Sequence, residues 1–306
     1  MPLFDLPPAP AGATNRTGSY NGGAALVEIG AGDLWRSDGI PLFGGGFAIP
    51  GLVNHGTLWS QGPSAQAIYS LVSGGTDLLN DGVIAAVGEG SARAVQWQPG
   101  FLSLGSIVNS GGIYAAATSG YATALVNWDR TPVSNSGIIA ARALQDTAIG
   151  YQVQYGAPLV NLAAGRIFAE GASAYAAWIA PTAPTAGNPY ALDNAGLIAA
   201  AGTASGHPSI AVYGVGEGFG PTLRVNNTGT IRGDYAFFGT GRQGGLRVGF
   251  VHQGQVIKHP LALGIHAPQA VLHDHRQLMA KARVIADAVR HGAGQQQRMA
   301  VLMLQA

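Results

Sequence analysis

The chain has 306 residues, of which 47% are hydrophobic and only 10% are charged, with 47 glycines, no cysteine and a formal net charge of +1. This hydrophobic content excludes an intrinsically disordered chain. The absence of cysteine excludes disulfides and thiolate-bound metals. No nucleic-acid-binding motif is present, so a nucleic-acid partner is not expected.

Residues 1–20 form a Pro-rich strip in which Leu3, Phe4 and Leu6 precede Pro7-Pro8. The strip lacks the basic start and apolar core of a Sec signal peptide. Elsewhere no apolar run reaches 18 residues, so membrane insertion through a helix is not expected. A strip of this kind has no core of its own and docks on something else. We expect a partner protein or a sister chain to hold it.

A repeated phrase organises the middle of the chain, which we assign as one domain over residues 21–241. The phrase is an apolar residue, one residue, Asn, a short step, Gly, one residue, and Ile or Leu. Its seven asparagines lie 26, 29, 26, 26, 33 and 33 residues apart, and such a period indicates a repeat architecture. They are Asn54, Asn80, Asn109, Asn135, Asn161, Asn194 and Asn227. Residues 21–50 contain an echo of the phrase at Asn21 and are interpreted as an imperfect opening turn.

Aligned on their glycines, the copies form columns. A large apolar residue stands two positions after each glycine, and Ser, Ala or Gly stands four after it. Even spacing is the signature of strands buried on one face. A second short apolar run follows each copy, so each period holds two or three strands and cannot bury its own apolar face. The members of the large column are Leu58, Ile84, Ile113, Ile139, Ile167, Ile198 and Ile231.

These columns predict an all-β fold, a right-handed parallel β-solenoid in which successive turns stack. Gly and Asn favour the bend between the two halves of each copy. Equivalent asparagines would form a ladder, with amides bonded up and down the stack. A β-sandwich with Asn-Gly turns is the alternative, but it does not explain why large and small positions stay in phase.

Residues 242–306 are predicted to cap the solenoid. Residues 246–264 predict two or three short strands, with turns at His252–Gly254 and Lys258–Pro260. Residues 268–292 predict a helix, and Val271, Leu278 and Ile285 form a heptad seam on it. The seam favours either a homotrimer or a helix that covers the last coil. This region carries eight basic and two acidic residues, which suits an acidic surface or the acidic shaft of a neighbouring subunit.

The I-x-N-x-G-x-I phrase resembles two groups of β-solenoids. One is the passenger region of autotransporter and filamentous-haemagglutinin-like adhesins, and the other is the shaft of phage tail spikes and fibres. The resemblance covers roughly residues 51–235 and implies the fold, since a fold does not carry one function. The missing signal peptide, and the missing C-terminal amphipathic strands of a membrane barrel, favour a virion fibre.

Two acidic residues are candidate catalytic groups, because some β-helices cleave polysaccharides with carboxylates. Glu170 and Asp234 fall in the same column of the repeat, two coils apart, which predicts a separation of about 9–10 Å. That distance is at the long end of the range for the acid and base of an inverting glycosidase. Arg142 stands one rung from Glu170, which favours a cross-rung ion pair over catalysis. Trp178 and Tyr235 lie nearby in sequence, but no evident sugar platform surrounds either carboxylate.

His273 and His275 were considered as metal ligands. They resemble the His-x-His pairs that hold an octahedral metal on the threefold axis of some phage fibres, and imidazole suits transition metals. That arrangement uses an extended segment, whereas this pair lies in the predicted helix, so solvated or seam histidines are favoured. No cofactor is expected.

The sequence therefore favours a non-enzymatic, homotrimeric fibre or spike subunit of a phage or phage-like virion that attaches to a cell surface or glycan. The resemblance to phage fibres implies that the N-terminal strip docks on a virion baseplate, tail or capsid protein. A secreted, cell-surface adhesin of the autotransporter type is one alternative. A glycan depolymerase is the other.

Overall fold

The computed structural model shows an all-β protein, with no helix among the residues it describes, and so confirms the predicted fold class. The predicted helix over 268–292, with its seam at Val271, Leu278 and Ile285 and with His273 and His275, lies outside those residues. The described residues are 2–12, 14, 16–17, 26–45, 51–70, 77–98, 105–128, 130–154, 157–180, 190–204, 207, 209–217, 222–242, 247–252 and 255–257.

A nine-stranded parallel sheet, here called the short-strand sheet, carries the first half of each repeat. Its strands stack in sequence order, one from each coil. They are β2 (Val27–Ile29), β5 (Gly51–Asn54), β7 (Asp77–Asn80), β9 (Ile107–Asn109), β12 (Val133–Asn135), β14 (Leu159–Asn161), β16 (Tyr190–Asn194), β19 (Thr222–Asn227) and β22 (Arg247–His252).

A fourteen-stranded sheet, here called the long-strand sheet, carries the second half. In some coils one long strand crosses the whole sheet, and in others two shorter strands replace it. The strands are β1 (Arg16–Thr17), β3 (Leu34–Asp38), β4 (Phe43–Gly45), β6 (Thr57–Ser70), β8 (Val83–Trp97), β10 (Gly112–Ala117), β11 (Ala122–Asn127), β13 (Ile138–Val153), β15 (Arg166–Ile179), β17 (Leu197–Gly202), β18 (Ser209–Glu217), β20 (Thr230–Arg232), β21 (Tyr235–Arg242) and β23 (Gln255–Ile257).

All strand pairs between coils are parallel in the part of the chain that the structure describes, so the chain winds as a β-solenoid. The coil that begins at β12 shows the pattern: β12 ends at Asn135, a two-residue step follows, and β13 begins at Ile138. The step is bonded to the coil before it, because the N–H groups of Ser136 and Gly137 both donate to the carbonyl of Asn109. A side chain at Gly137 would be excluded, since its Cβ would lie 2.0 Å from the carbonyl oxygen of Gly111.

The core lies between the two sheets and follows the predicted columns. Ile113, Ile139 and Ile167 are register partners in consecutive coils, and each is completely buried. Ala141, two residues after Ile139, is also completely buried. The alternation of large and small inward residues therefore fills the interior in layers, and each layer packs on the next.

The stack extends past the limits of the seven repeats. At its start, Ile29 of β2 pairs with Asn54, so Ile29 occupies the asparagine position of the opening coil, and Asn21 lies outside the described residues. At the other end, β22 and β23 pair in parallel with β19 and β20. Their residues, expected as cap strands, add a further coil beyond residue 241. Among the described residues, no helix could cross a membrane.

Candidate functional site

The seven asparagines form the predicted ladder. All seven are buried, and the Nδ2 of each of the first six donates to the Oδ1 of the asparagine in the following coil over 2.6–2.8 Å. Backbone carbonyls accept further bonds, as Gly137 does from Asn135 at 3.2 Å. At the N-terminal end the ladder meets Ile29, and the Oδ1 of Asn54 is buried without a partner. Because the ladder is sealed from solvent, its role is structural.

The predicted ion pair between Arg142 and Glu170 forms across adjacent coils. The two residues are register partners, with Nη2 and Oε2 3.1 Å apart and side chains 19% and 16% exposed. Glu170 Oε2 also accepts the backbone N–H of Leu3 at 3.1 Å, and Arg142 donates to the carbonyl of Phe4. Both charges are therefore occupied in binding each other and the N-terminal strip.

Asp234 has different partners from Glu170. Its Oδ2 accepts the hydroxyl of Ser209 at 2.7 Å and the Ser209 N–H at 3.2 Å. The register that would extend the Glu170 column runs through Ala201, but β17 and β20 pair only as far as Arg232, so strand pairing ends before Asp234. The two carboxylates are each committed to other groups, and their bonding is that of structural residues.

The N-terminal strip lies on the outer face of its own solenoid. Phe4 is 7% exposed and belongs to a cluster with Ala140, Phe168 and Ala199. Its ring is stacked on that of Phe168, with centroids 5.8 Å apart and planes 5° from parallel. The Arg142 guanidinium carbon lies 4.7 Å from the centroid of the Phe4 ring. We call this site, formed by Ala140, Arg142, Phe168, Glu170 and Ala199, the strip groove.

The shape of the strip groove follows from an alternation on the outside of the long-strand sheet. One outward column places an aromatic ring and an alanine in alternate coils, so rings project on both sides of each small residue. The column runs Trp59, Ala85, Tyr114, Ala140, Phe168 and Ala199. A ring from outside can therefore settle over an alanine, as Phe4 does.

Five partly exposed rings form a second feature, which we call the aromatic surface: Tyr175, Trp178, Tyr213, Tyr235 and Phe238. The centroids of Tyr175 and Trp178 lie 4.8 Å apart, those of Trp178 and Tyr213 5.0 Å, and those of Tyr213 and Phe238 5.9 Å. Tyr175 also lies 5.1 Å from Tyr213, and Tyr235 lies 5.9 Å from Phe238. The rings thus form one connected cluster.

Strand register explains why these rings meet. Trp178, Tyr213 and Phe238 are partners in the consecutive strands β15, β18 and β21. Their neighbours along each strand, such as Ala177 and Val212, point into the core and are completely buried. Parallel strands lie about 4.8 Å apart, which is within the spacing at which aromatic rings contact one another.

The hydroxyl of Tyr175 stays protonated at neutral pH. Partial burial, and secondarily the charge interaction with Tyr213, raise the pKa of Tyr175 above its ordinary value. A neutral phenol both donates and accepts a hydrogen bond. The aromatic surface therefore combines flat apolar faces with uncharged polar atoms, a composition that suits a ligand with CH-rich faces and hydroxyl edges.

Polar groups occupy the same outer face three coils before β15, at the register positions of Tyr175 and Trp178. Arg93 donates to the side-chain oxygen of Gln96, and its Nη2 donates to the Tyr121 hydroxyl at 3.3 Å. Its guanidinium also lies 5.6 Å from the Tyr121 ring centroid. In the part of the chain that the structure describes, no group of three or more His, Asp or Glu side chains could hold a metal ion.

The sequence analysis did not predict the aromatic surface, although it noted Trp178 and Tyr235. The available signal was the aromatic residue near the end of three successive apolar runs, AYAAWI, SIAVYG and YAFFG. Loops of unequal length separate these runs, so their relative register had to come from the structure.

Comparisons with known proteins do not add a family. No family model matches the sequence, and comparison with curated proteins and with solved structures gives no significant match.

Proposed function

We propose that this protein is a non-enzymatic attachment protein, and that its aromatic surface binds glycans of a cell surface. The observation that carries the proposal is the cluster of five partly exposed rings on β15, β18 and β21. Contiguous apolar groups on a protein surface mark interaction sites more often than chance. Aromatic residues combine a large contact area with few rotatable bonds.

The chemistry of the surface favours a sugar over a wholly apolar ligand. Pyranose rings have CH-rich faces that pack on aromatic rings and hydroxyl groups that need donors and acceptors at the edge. The rings of Tyr175, Tyr213 and Tyr235 supply phenol hydroxyls beside the apolar faces of Trp178 and Phe238. Because these residues lie on paired strands, the site is held in shape before the ligand arrives, which lowers the entropic cost of binding.

The hydrogen bonds and ion pair of the two candidate carboxylates support glycan attachment over glycan cleavage. Glu170 is paired with Arg142 and bonded to Leu3, and Asp234 is bonded to Ser209. A general acid and a general base need free access to the scissile bond and to water. Incubation with host polysaccharide should therefore release no new reducing ends. Their appearance in the wild type and not in a Glu170→Gln variant would instead support a depolymerase.

We further propose that the solenoid is the shaft of a virion fibre or spike, and that it works as a homotrimer. The support is the I-x-N-x-G-x-I resemblance together with the uninterrupted stack of coils, which suits an elongated attachment organelle. Neighbouring genes test the setting: capsid and tail genes are expected, and secretion genes would favour the adhesin. Light scattering tests the trimer.

The binding experiment uses the wild type with Trp178→Ala and Tyr213→Ala on a glycan array, followed by calorimetry with the best ligand. Loss of a central aromatic contact typically costs about 2 kcal/mol or more, so affinity should fall by about thirtyfold. Leu79→Ala is the matched control, because Leu79 is 39% exposed and lies on the short-strand sheet. A wild type that binds no glycan, or variants that bind like the wild type, would refute the proposal.

A further inference from the structure

We infer that the strip groove is an exchangeable peptide-binding site, which receives residues 3–6 of a second copy of this chain and so joins copies side by side. The inference concerns assembly and does not depend on the ligand of the aromatic surface. It rests on three properties of the contact between the strip and the groove: how the groove recognises the strip, where the contact lies, and how far the strip reaches.

Recognition of the strip combines backbone and side-chain contacts. Glu170 accepts the N–H of Leu3 and Arg142 donates to the carbonyl of Phe4, so the ion pair binds one donor and one acceptor of the peptide backbone. The ring of Phe4 stacks on Phe168 over a small neighbour, Ala140. Leu3 and Leu6 pack against the same cluster. The groove thus reads a short segment with an aromatic anchor, as peptide-recognition sites do.

The contact lies wholly on the outside of the solenoid. Residues 2–12 contribute no strand to either sheet, and Phe4 packs against outward residues of β13, β15 and β17. None of the coil-to-coil hydrogen bonds needs the strip. A strip from another molecule could therefore make the same contacts, and exchange of such a terminal element is a low-cost route to oligomers.

The strip has little spare length when it occupies the groove of its own chain. Strand β1 begins at Arg16 and pairs with β3, five strand positions before β13. At about 4.8 Å per coil, Ala140 lies about 24 Å along the stack from Arg16. The ten steps from Leu6 to Arg16 span about 31 Å when extended. The extended length of this connection thus exceeds the distance to its own groove by only about 7 Å.

Concentration decides which groove is filled. A tethered strip meets its own groove at an effective concentration of about millimolar. Side-by-side copies in an assembly offer a second groove at comparable concentration, with identical contacts. Exchange should therefore be suppressed in dilute solution and should appear when copies are held together.

The test is a complementation experiment. Phe4→Ala gives a chain with an intact groove and no anchoring ring, and Phe168→Ala gives a chain with an intact strip and a defective groove. Neither variant can form the contact with itself. The proposal expects the two variants to form a one-to-one complex when mixed at high concentration, detected by native mass spectrometry and sedimentation. It also expects each variant alone to show no such complex.

A peptide of residues 2–12 provides the second measurement. Labelled at its C-terminus, it should bind the vacant groove of Phe4→Ala and bind a Phe4→Ala, Arg142→Gln double variant about tenfold more weakly or worse. Circular dichroism must show wild-type β-sheet content in every variant used. If the mixed variants remain separate, or if the peptide binds both chains equally, the strip contact is not transferable and the inference is wrong.

Discussion

The ring of Phe4 is stacked on the ring of Phe168 at 5.8 Å, with their planes 5° from parallel. A residue near the N-terminus of the chain thus packs against a coil in the middle of the solenoid. Arg142 covers the Phe4 ring and pairs with Glu170, so a single ion pair fixes both the flank of the coil and the strip. Several quantitative expectations depend on contacts of this kind.

Phe4→Ala should release the strip and leave the solenoid folded. The lost burial and stacking are together worth about 2–4 kcal/mol, whereas repeat stability comes mainly from contacts between neighbouring coils. Hydrogen exchange should show the Leu3 amide losing its protection while the Ile139 amide keeps it. Asp5→Ala is the control, because Asp5 is exposed. Unchanged protection at Leu3 would show that Phe4 does not hold the strip.

Asn135→Ala should destabilise the solenoid by about 1–3 kcal/mol, because it leaves two buried amide groups of Asn109 and Asn161 without their partner. The measurement is the free energy of unfolding in guanidinium. Ser134→Ala, one residue earlier on the outer side of the same strand, should change it by less than about 0.5 kcal/mol. Equal effects of the two substitutions would mean that the ladder contributes little net stability.

Ile139→Ala should cost about 2–5 kcal/mol, because it leaves a cavity between the side chains of Ile113 and Ile167. Leu144→Ala removes a similar side chain from a site that is 59% exposed, and should be nearly neutral. Melting temperatures measured by circular dichroism separate the two. If both variants melt alike, the stacking of isoleucines is not what stabilises the core.

The buried Tyr151 should make the free energy of unfolding fall as the pH rises above 10. Complete burial raises the pKa of the Tyr151 hydroxyl well above its ordinary value of 10.0, and the side chain of Asn127 offsets this only in part. Above pH 10 the unfolded chain loses this proton and the folded chain keeps it, so stability falls as pH rises. The slope reaches about 1.4 kcal/mol per pH unit.

Tyr151→Phe should remove that share of the alkaline slope. Tyr121→Phe is the matched control, since the Tyr121 side chain is 42% exposed, whereas that of Tyr151 is completely buried. The free energy of unfolding is measured between pH 8 and 11 for all three proteins. Parallel pH profiles for the wild type and Tyr151→Phe would show that Tyr151 ionises without unfolding.

The interior of this fold could be predicted from the sequence, because each column that faces inward repeats the same residue type at the same step from a glycine. The buried isoleucines Ile113, Ile139 and Ile167 recur at one fixed position of the repeat, and the buried asparagines recur at another. Few folds other than a solenoid would require both columns. The same reasoning extended the repeat only to residue 241, because His252 occupies the ladder position of the last described coil and the phrase is no longer recognisable.

The exterior could not be predicted in the same way. Trp178, Tyr213 and Phe238 become neighbours only after loops of unequal length have been allowed for. The contact of Phe4 with Phe168 follows no period at all. The column that appeared to link Glu170 with Asp234 ends one coil early, because strand pairing stops at Arg232 and Ser209 binds Asp234 instead.

The one-way direction of the asparagine ladder makes length a discrete variable for this protein. Each asparagine inside the ladder offers a donor to the next coil and an acceptor to the previous one. Excising residues 107–132 would therefore let Asn80 donate to Asn135 without a change of interior. On the outside the same excision would bring Ala85 next to Ala140, since rings and alanines alternate over two coils. Removing any whole number of coils thus preserves the pattern of interior residues. Only the removal of an even number of coils preserves the alternation of rings and alanines on the outer face.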